Sequence, residues 1–258
     1  KGRTALVTGS TAGIGYAIAA GLAREGAGVI VNGRTQKRVD EAAASLRTTT
    51  GGHIESLAAD LGTAAGVQQA LTRWPEVDIL VNNLGIFEAK PFENLSDEDW
   101  LRFFEVNVMS GVRLSRHYLP RMKQKGWGRI IFISSESALQ IPMEMIHYGM
   151  TKTAQLSIAR GLAETTTGTD VTVNSVLPGP TASEGVNVFV EQMASQRSQN
   201  RAEFEKDFFE HARPTSILKR FETPEEIASV VAFVASPLSS AINGAAIRAD
   251  GGVVRAIA

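Results

Sequence analysis

Thr8-Gly9-Ser10-Thr11-Ala12-Gly13-Ile14-Gly15 decides how this chain reads. The strand-like run Thr4-Ala5-Leu6-Val7 precedes it, and a helical stretch with Ile14, Ile18, Gly21 and Leu22 on one face follows. A strand feeding a glycine-rich turn that opens a helix is the frame of a dinucleotide cradle, here with the variant spacing G-x-x-x-G-x-G. Gly9 permits the tight turn, Gly13 lets the backbone approach a pyrophosphate, and Gly15 lets the helix pack closely on a sheet. The helix N-terminus then offers unpaired N–H groups and a positive partial charge to the phosphates. A glycine-rich turn without a ligand is the plainer alternative, and the flanking strand and helix argue against it.

Outward from that turn, short β-rich runs alternate with helical stretches. Val29-Ile30-Val31 precedes a polar helix over 36–47, Ile54 to Leu57 precedes one over 64–71, and Ile79-Leu80-Val81 leads to a long helix through Val108, Val112 and Leu119. Ile130 to Ile133 leads to a helix starting near Tyr148, and Val171 to Val176 leads to a polar, Phe-dotted insertion. Ile227, Val230, Val231 and Val234 mark a last helix before a short strand over 245–249. The early strands are continuous apolar runs, which indicates burial on both faces. Strict alternation then predicts an α/β, doubly wound parallel sheet of Rossmann type, with about seven strands and helices on both faces. No repeat or linker divides it, so residues 1–258 are expected to form one domain. Residues 182–213 are expected to form two helices outside the sheet, acting as a substrate lid.

Composition narrows the function. The 26 Lys and Arg balance 27 Asp and Glu, so no basic excess points to a nucleic-acid partner. The absence of cysteine removes disulfides, thiolate nucleophiles and zinc–thiolate clusters. His53, His117, His147 and His211 show no metal-ligand spacing, and no metal is expected. No apolar run approaches the roughly 20 residues of a membrane helix. The N-terminal segment enters a strand-like run without an apolar signal core, which sets a cytoplasmic expectation.

Two further features suggest chemistry. After the second strand comes Asn32-Gly33-Arg34-Thr35, without the acid that would hold a ribose 2′-OH. Arg34 could pair with a 2′-phosphate, which favours NADP over NAD, unless it only covers the adenine or points into water. Tyr148 and Lys152 are four apart on one helix face, with Ser135 at the end of the strand Ile130 to Ile133, where open α/β sheets bind ligands.

Taken together, the chain resembles the short-chain dehydrogenase/reductase family along essentially its whole length. The matching pieces are Thr8-Gly9-x-x-x-Gly13-Ile14-Gly15, Asp60-Leu61, Asn82-Asn83-Leu84-Gly85, Asn107, Ser135, Tyr148-x-x-x-Lys152, Asn174, Pro178-Gly179 and Asp250-Gly251-Gly252. Leu84 departs from the family's usual Ala. The resemblance implies Tyr148 as general acid/base, Lys152 holding the nicotinamide ribose and lowering the tyrosine pKa, and Ser135 bonding the substrate oxygen. It implies that Asn107 holds a water linking Lys152 to solvent. The cofactor contacts it implies are the cradle residues Gly9, Ser10, Thr11, Gly13, Ile14 and Gly15, then Arg34, Asp60 and Leu61 near the adenine. Asn83 and Gly85 would border the adenosine ribose, and Pro178, Gly179, Thr181 and Ser183 would meet the carboxamide. A homo-oligomer, tetramer or dimer, is implied through helices around 101–123 and 148–165.

Glu136, Glu144 and His147 flank the proposed site; they line the substrate pocket or are merely solvated and capping. Phe189, Phe204, Phe208 and Phe209 form a pocket wall or only dock the lid. The expected function is an NAD(P)-dependent oxidoreductase that interconverts a carbonyl and an alcohol. The alternatives are a non-catalytic nucleotide-binding sensor or scaffold, and an NAD-retaining epimerase or dehydratase.

Overall fold

The computed structural model describes residues 2–196 and 199–257. The strands are β1 (Thr4–Val7), β2 (Gly28–Gly33), β3 (Ile54–Ala58), β4 (Ile79–Asn82), β5 (Gly128–Ile133), β6 (Val171–Pro178) and β7 (Ala246–Ala249). The helices are α1 (Gly13–Arg24), α2 (Gln36–Thr50), α3 (Ala64–Arg73), α4 (Asp97–Phe104), α5 (Ser110–Lys125), α6 (Ile146–Glu164), α7 (Glu184–Gln196), α8 (Arg201–Asp207) and α9 (Pro224–Ala235). The sheet is wholly parallel in the order β3-β2-β1-β4-β5-β6-β7. Chain direction across the sheet reverses between β1 and β4, so the loops after these two strands border one crevice.

Alternate residues of each strand feed opposite layers. Ala5 and Val7 face a core with Ile18 and Leu22 of α1 and Val231 and Val234 of α9. Leu6 between them faces the other core, with Leu114, Tyr118 and Met122 of α5. Burying one such aliphatic side chain is worth about 1.5–3 kcal/mol, and a one-residue slip would exchange the two layers. α9 begins at a capping box: Thr223 accepts the Glu226 N–H, Glu226 reaches back to the Thr223 N–H, and Pro224 opens the helix.

Three expectations change in detail. β5 begins two residues before Ile130 and includes the buried Arg129, whose Nη1 donates to the carbonyls of Gly128 and Asp170. The long helix through Val108 is α4 and α5 joined by a wide π-type turn over Glu105–Met109. The insertion does hold two helices, α7 and α8. Phe204 and Phe209 bury with Val190, Ala194 and Phe221 in a small core of their own, so these rings dock the insertion. The Phe189 side chain lies outside the described residues.

Candidate active site

The cradle is built as its glycines require. Gly13 has φ +57°, and a Cβ there would meet the Ser183 Cβ at 3.1 Å. A Cβ on Gly15 would fall 2.4 Å from the Gly9 carbonyl oxygen and 2.5 Å from Asn83 Nδ2, an approach only glycine allows. Ala12 caps α1 without a side-chain acceptor, and the first turn carries no acid. The leading N–H groups and the helix dipole therefore remain available to an anion. These features fit the pyrophosphate of a dinucleotide.

Around the cradle, some of the expected contacts are structural instead. Ser10 is buried, donates its hydroxyl to the Val7 carbonyl and its N–H to the Asn32 carbonyl, and accepts the Asn32 N–H, so it has no donor left for a phosphate. Leu61 packs its side chain into the core beside Leu57 and Val67. Asp60 is exposed and closes its own turn by accepting the Gly62 N–H. Asn83 donates to the carbonyls of Thr8 and Gly9, which braces the cradle from β4. Asn32 accepts the Gly9 N–H and donates to Leu57 and Ala59, a brace that sequence spacing does not reveal. Thr11 and Ile14 are partly exposed on the turn. Arg34 is exposed directly after β2; one turn later Arg38 lies 3.4 Å from Glu184 of α7.

The residues expected to be catalytic come together at the ends of β4 and β5. A Cβ on Gly85 would lie 3.5 Å from Lys152 Nζ and 3.6 Å from Asn107 Oδ1, which places all three together. Lys152 Nζ donates to the Ile133 carbonyl at 2.9 Å and lies 5.5 Å from the Tyr148 ring centroid. Asn107 sits in the wide turn before α5; it accepts the Ile86 N–H and donates to Ile86 O and Thr151 Oγ1. Such turns recur at functional sites. Gln155 was missed by sequence reading. It donates to the Asn107 main-chain carbonyl at 2.6 Å and faces Lys152 Nζ at 3.5 Å, bridging the two directly. The signal was its place three residues after Lys152 on the same helix face.

Burial raises the Tyr148 phenol well above the ordinary value; the Ser135 hydroxyl draws it down, Glu136 pushes it up and Arg213 draws it down. Burial also lowers Lys152, to a pKa of about 8, at which it still carries its charge at neutral pH. Ser134 donates to the Lys152 carbonyl and so supports α6 rather than the substrate.

The residues beside the site are more committed than expected. Glu136 is buried and paired with Arg213 at 2.7 Å, while Glu144 is exposed and 3.5 Å from the same guanidinium. His147 is fully buried against Phe103 and Trp100, so it neither lines a pocket nor caps a helix in solvent. At the far rim, Pro178 ends β6, Thr181 donates to the Gly179 carbonyl, and Ser183 accepts the Val186 N–H. Glu222, also missed, is buried against this segment and accepts the Gly179 N–H; burial raises its pKa to about 7. Among the described residues, no group of three or more His, Asp or Glu side chains could hold a metal ion, and no helix is long and apolar enough to cross a membrane.

Known proteins share this arrangement. Residues 9–254 match the family model described as enoyl-(acyl carrier protein) reductase. An uncharacterized oxidoreductase of Bacillus subtilis, YvaG, is 54% identical over 100% of this chain and 98% of its own. The 3-oxoacyl-[acyl-carrier-protein] reductase FabG of Aquifex aeolicus is 32% identical over 98% of each chain. Among solved structures, L-sorbose reductase from Gluconobacter frateurii, complexed with NADPH and L-sorbose, superposes with a TM-score of 0.93 at 30% identity, covering 100% of this chain and 98% of that one.

Proposed function

The chain belongs to the short-chain dehydrogenase/reductase family and is an NAD(P)-dependent oxidoreductase, and from that premise we propose that it interconverts a carbonyl and an alcohol with Tyr148 as the general acid/base. The observation that carries the reading is the convergence of Tyr148, Lys152, Ser135 and Asn107 at one end of the sheet, at the mouth of the crevice that the cradle opens.

The cradle N–H groups of α1 would hold the pyrophosphate, and Lys152, Thr181 and Ser183 the nicotinamide half. When bound, the dinucleotide supplies or accepts the hydride. The chain does the rest. In reduction, Tyr148 gives its phenolic proton to the substrate oxygen, while Ser135 steadies that oxygen. Burial keeps the phenol protonated before substrate binds, so the proton to be given is in place. A proton returns to it by way of Lys152 and a water held by Asn107, with Gln155 keeping Lys152 and Asn107 in register. In oxidation the same groups act in reverse.

NADP is the favoured dinucleotide. Arg34 follows β2 with no acid beside it, and the L-sorbose reductase relative is a complex with NADPH. The substrate is read as a polar carbonyl compound, because the exposed Glu144 beside Arg213 leaves a carboxylate near the Ser135 end of the site. Residues 182–213 serve as its lid. The chain is read as a cytoplasmic homo-oligomer, tetramer or dimer, pairing in part through the exposed Leu101 and Phe104; light scattering that shows only monomer refutes the assembly.

The test of the main reading is an absorbance assay at the reduced-nicotinamide band, with both dinucleotides and a panel of sugar ketones and acyl ketones. Tyr148→Phe should abolish turnover and keep dinucleotide binding. Full turnover in that variant would remove the phenol from the reaction.

A further inference from the structure

Glu136 has no role in the mechanism above, yet it is 3% exposed and directly follows Ser135. A buried carboxylate is costly unless it is fully bonded and paired. Here it is both. Its Oε2 accepts the hydroxyls of Ser135, at 2.8 Å, and Ser137, in a very short contact. Its Oε1 accepts Arg213 Nε at 2.7 Å. Arg213 comes from a distant part of the chain. It follows the π-type turn Phe208–Ala212 at the end of α8, its N–H bonds the Phe208 carbonyl, and its side chain is 11% exposed.

The bonding fixes Ser135. A serine hydroxyl has one proton and two lone pairs. The proton is spent on Glu136, and one lone pair accepts the Ser137 N–H at 3.1 Å. In this arrangement the remaining lone pair is what Ser135 offers to Tyr148; to donate to a substrate oxygen its proton turns away from Glu136, whose carboxylate stays held by Ser137 and Arg213. We propose that Glu136 and Arg213 are positioning residues for the Ser135–Tyr148 pair: Glu136 sets the direction of the Ser135 hydroxyl, and Arg213, brought in by docking of the lid, keeps the carboxylate's charge from acting on the phenol. The proposal rests on Tyr148 being the acid/base.

The electrostatic half follows from the arrangement of charges. The charged groups around Tyr148 are Lys152 on its own helix, Glu136 on the loop after β5, and Arg213 from the end of the lid, with Glu144 on the outer side of Arg213. Glu136 and Arg213 act on the phenol in opposite directions. While they are paired, their effects largely cancel. If the lid lifts, Glu136 is left alone and Tyr148 becomes a poorer acid, its proton held more tightly. Alcohol oxidation, which needs the phenol deprotonated, is thereby tied to a closed lid, without direct contact between lid and substrate.

The experiment is the pH profile of kcat/KM for alcohol oxidation, whose acid limb reports the base of the free enzyme. Arg213→Gln should move that limb up by about one pH unit, and Glu136→Gln, which removes a carboxylate one hydroxyl from the phenol, should move it down by at least about as much. That is the order of effect of one uncompensated charge within about 10 Å through an effective dielectric near 20. The double variant should return the limb to the wild-type position, and Arg213→Lys should leave it there. Limbs that stay fixed in both single variants, or move the same way, overturn the proposal. If a single variant does not fold, a displaced limb in Arg213→Lys overturns it equally. A second readout needs no turnover: trypsin should cut the nucleotide-free chain after Arg201 and Lys206 several-fold faster in Arg213→Gln than in wild type. Unchanged cleavage refutes the docking half. A wild-type chain that oxidised and reduced nothing would instead sink the enzyme reading, and the proposal with it.

Discussion

Lys152 offers the sharpest test, because its two roles pull in opposite directions. Its ammonium is buried with a main-chain carbonyl and an amide for company and no carboxylate among its bonding partners, and its pKa falls from 10.5 to about 8. At about 1.4 kcal/mol per pKa unit, keeping the charge inside the fold costs about 3 kcal/mol. The sign follows from proton counting. Below pH 8 the folded and unfolded chains both hold the proton, and the penalty is constant. Between pH 8 and 10.5 the unfolded chain holds more protons, so stability rises with pH until the penalty is gone. Lys152→Met removes the charge and keeps much of the volume. It leaves the Ile133 carbonyl without this donor, at a cost of about 1 kcal/mol. The net expectation is a nucleotide-free chain about 2 kcal/mol more stable at pH 7. For a chain of this size that is a Tm higher by about 4–8 °C. The same variant should lose turnover. The assay is thermal melting from pH 6 to 10.5, beside the absorbance assay. A variant that melts at or below the wild type, or that still gains stability above pH 8 as the wild type does, refutes the reasoning.

Other expectations rest on single contacts. Gly15→Ala forces a methyl against the Gly9 carbonyl and Asn83, so it should cost about 1–3 kcal/mol of stability by melting and abolish dinucleotide binding by titration calorimetry. Gln155→Leu removes the bridge from Lys152 to Asn107; kcat should fall about tenfold with KM for the dinucleotide unchanged, and an unchanged kcat removes Gln155 from the proton path. Glu222 has its pKa raised to about 7, so the folded chain binds the extra proton and wild-type stability should decline as pH rises from 4.5 to 7; Glu222→Gln should flatten that decline in a melting series. Arg34→Glu should weaken NADP relative to NAD by about tenfold to a hundredfold in KM ratio, and an unchanged ratio would take Arg34 out of cofactor choice.

The parts of the molecule that were legible in sequence are those governed by short-range rules. The continuous runs around Leu6, Ile30, Leu80 and Ile131 announce strands buried on both sides, and the sheet is wholly parallel. The spacing of Tyr148 and Lys152 places them on one face of α6 whatever else surrounds them. The features that escaped depend on distant residues or on a single bond rotation. Glu136 and Arg213 are far apart along the chain, and nothing near either one forecasts the pairing. Ser10 and Leu61 belong to matching motifs, yet neighbouring positions in a turn or strand end face opposite ways, and these two face inward. Desolvation, which raises the phenol's pKa and lowers that of the lysine, depends on the surrounding packing and leaves no trace in the spacing of the two residues. Glu222 carries no signal in the sequence, because only the approach of the distant 179–182 segment buries and bonds it.

The wide turn at Glu105–Met109 has a consequence for how this enzyme can change. Each residue added to a helix rotates the remainder of that helix by about 100°. The turn absorbs one such residue, so Asn107 is aimed at Ile86 and Thr151 while Leu114, Tyr118 and Met122 further on still face the sheet. Exchanging a side chain within those five positions leaves that phasing alone. Losing one residue there would swing the whole of α5 around its axis and turn its apolar stripe to water. The segment should therefore be permissive to replacement and intolerant of a change in length.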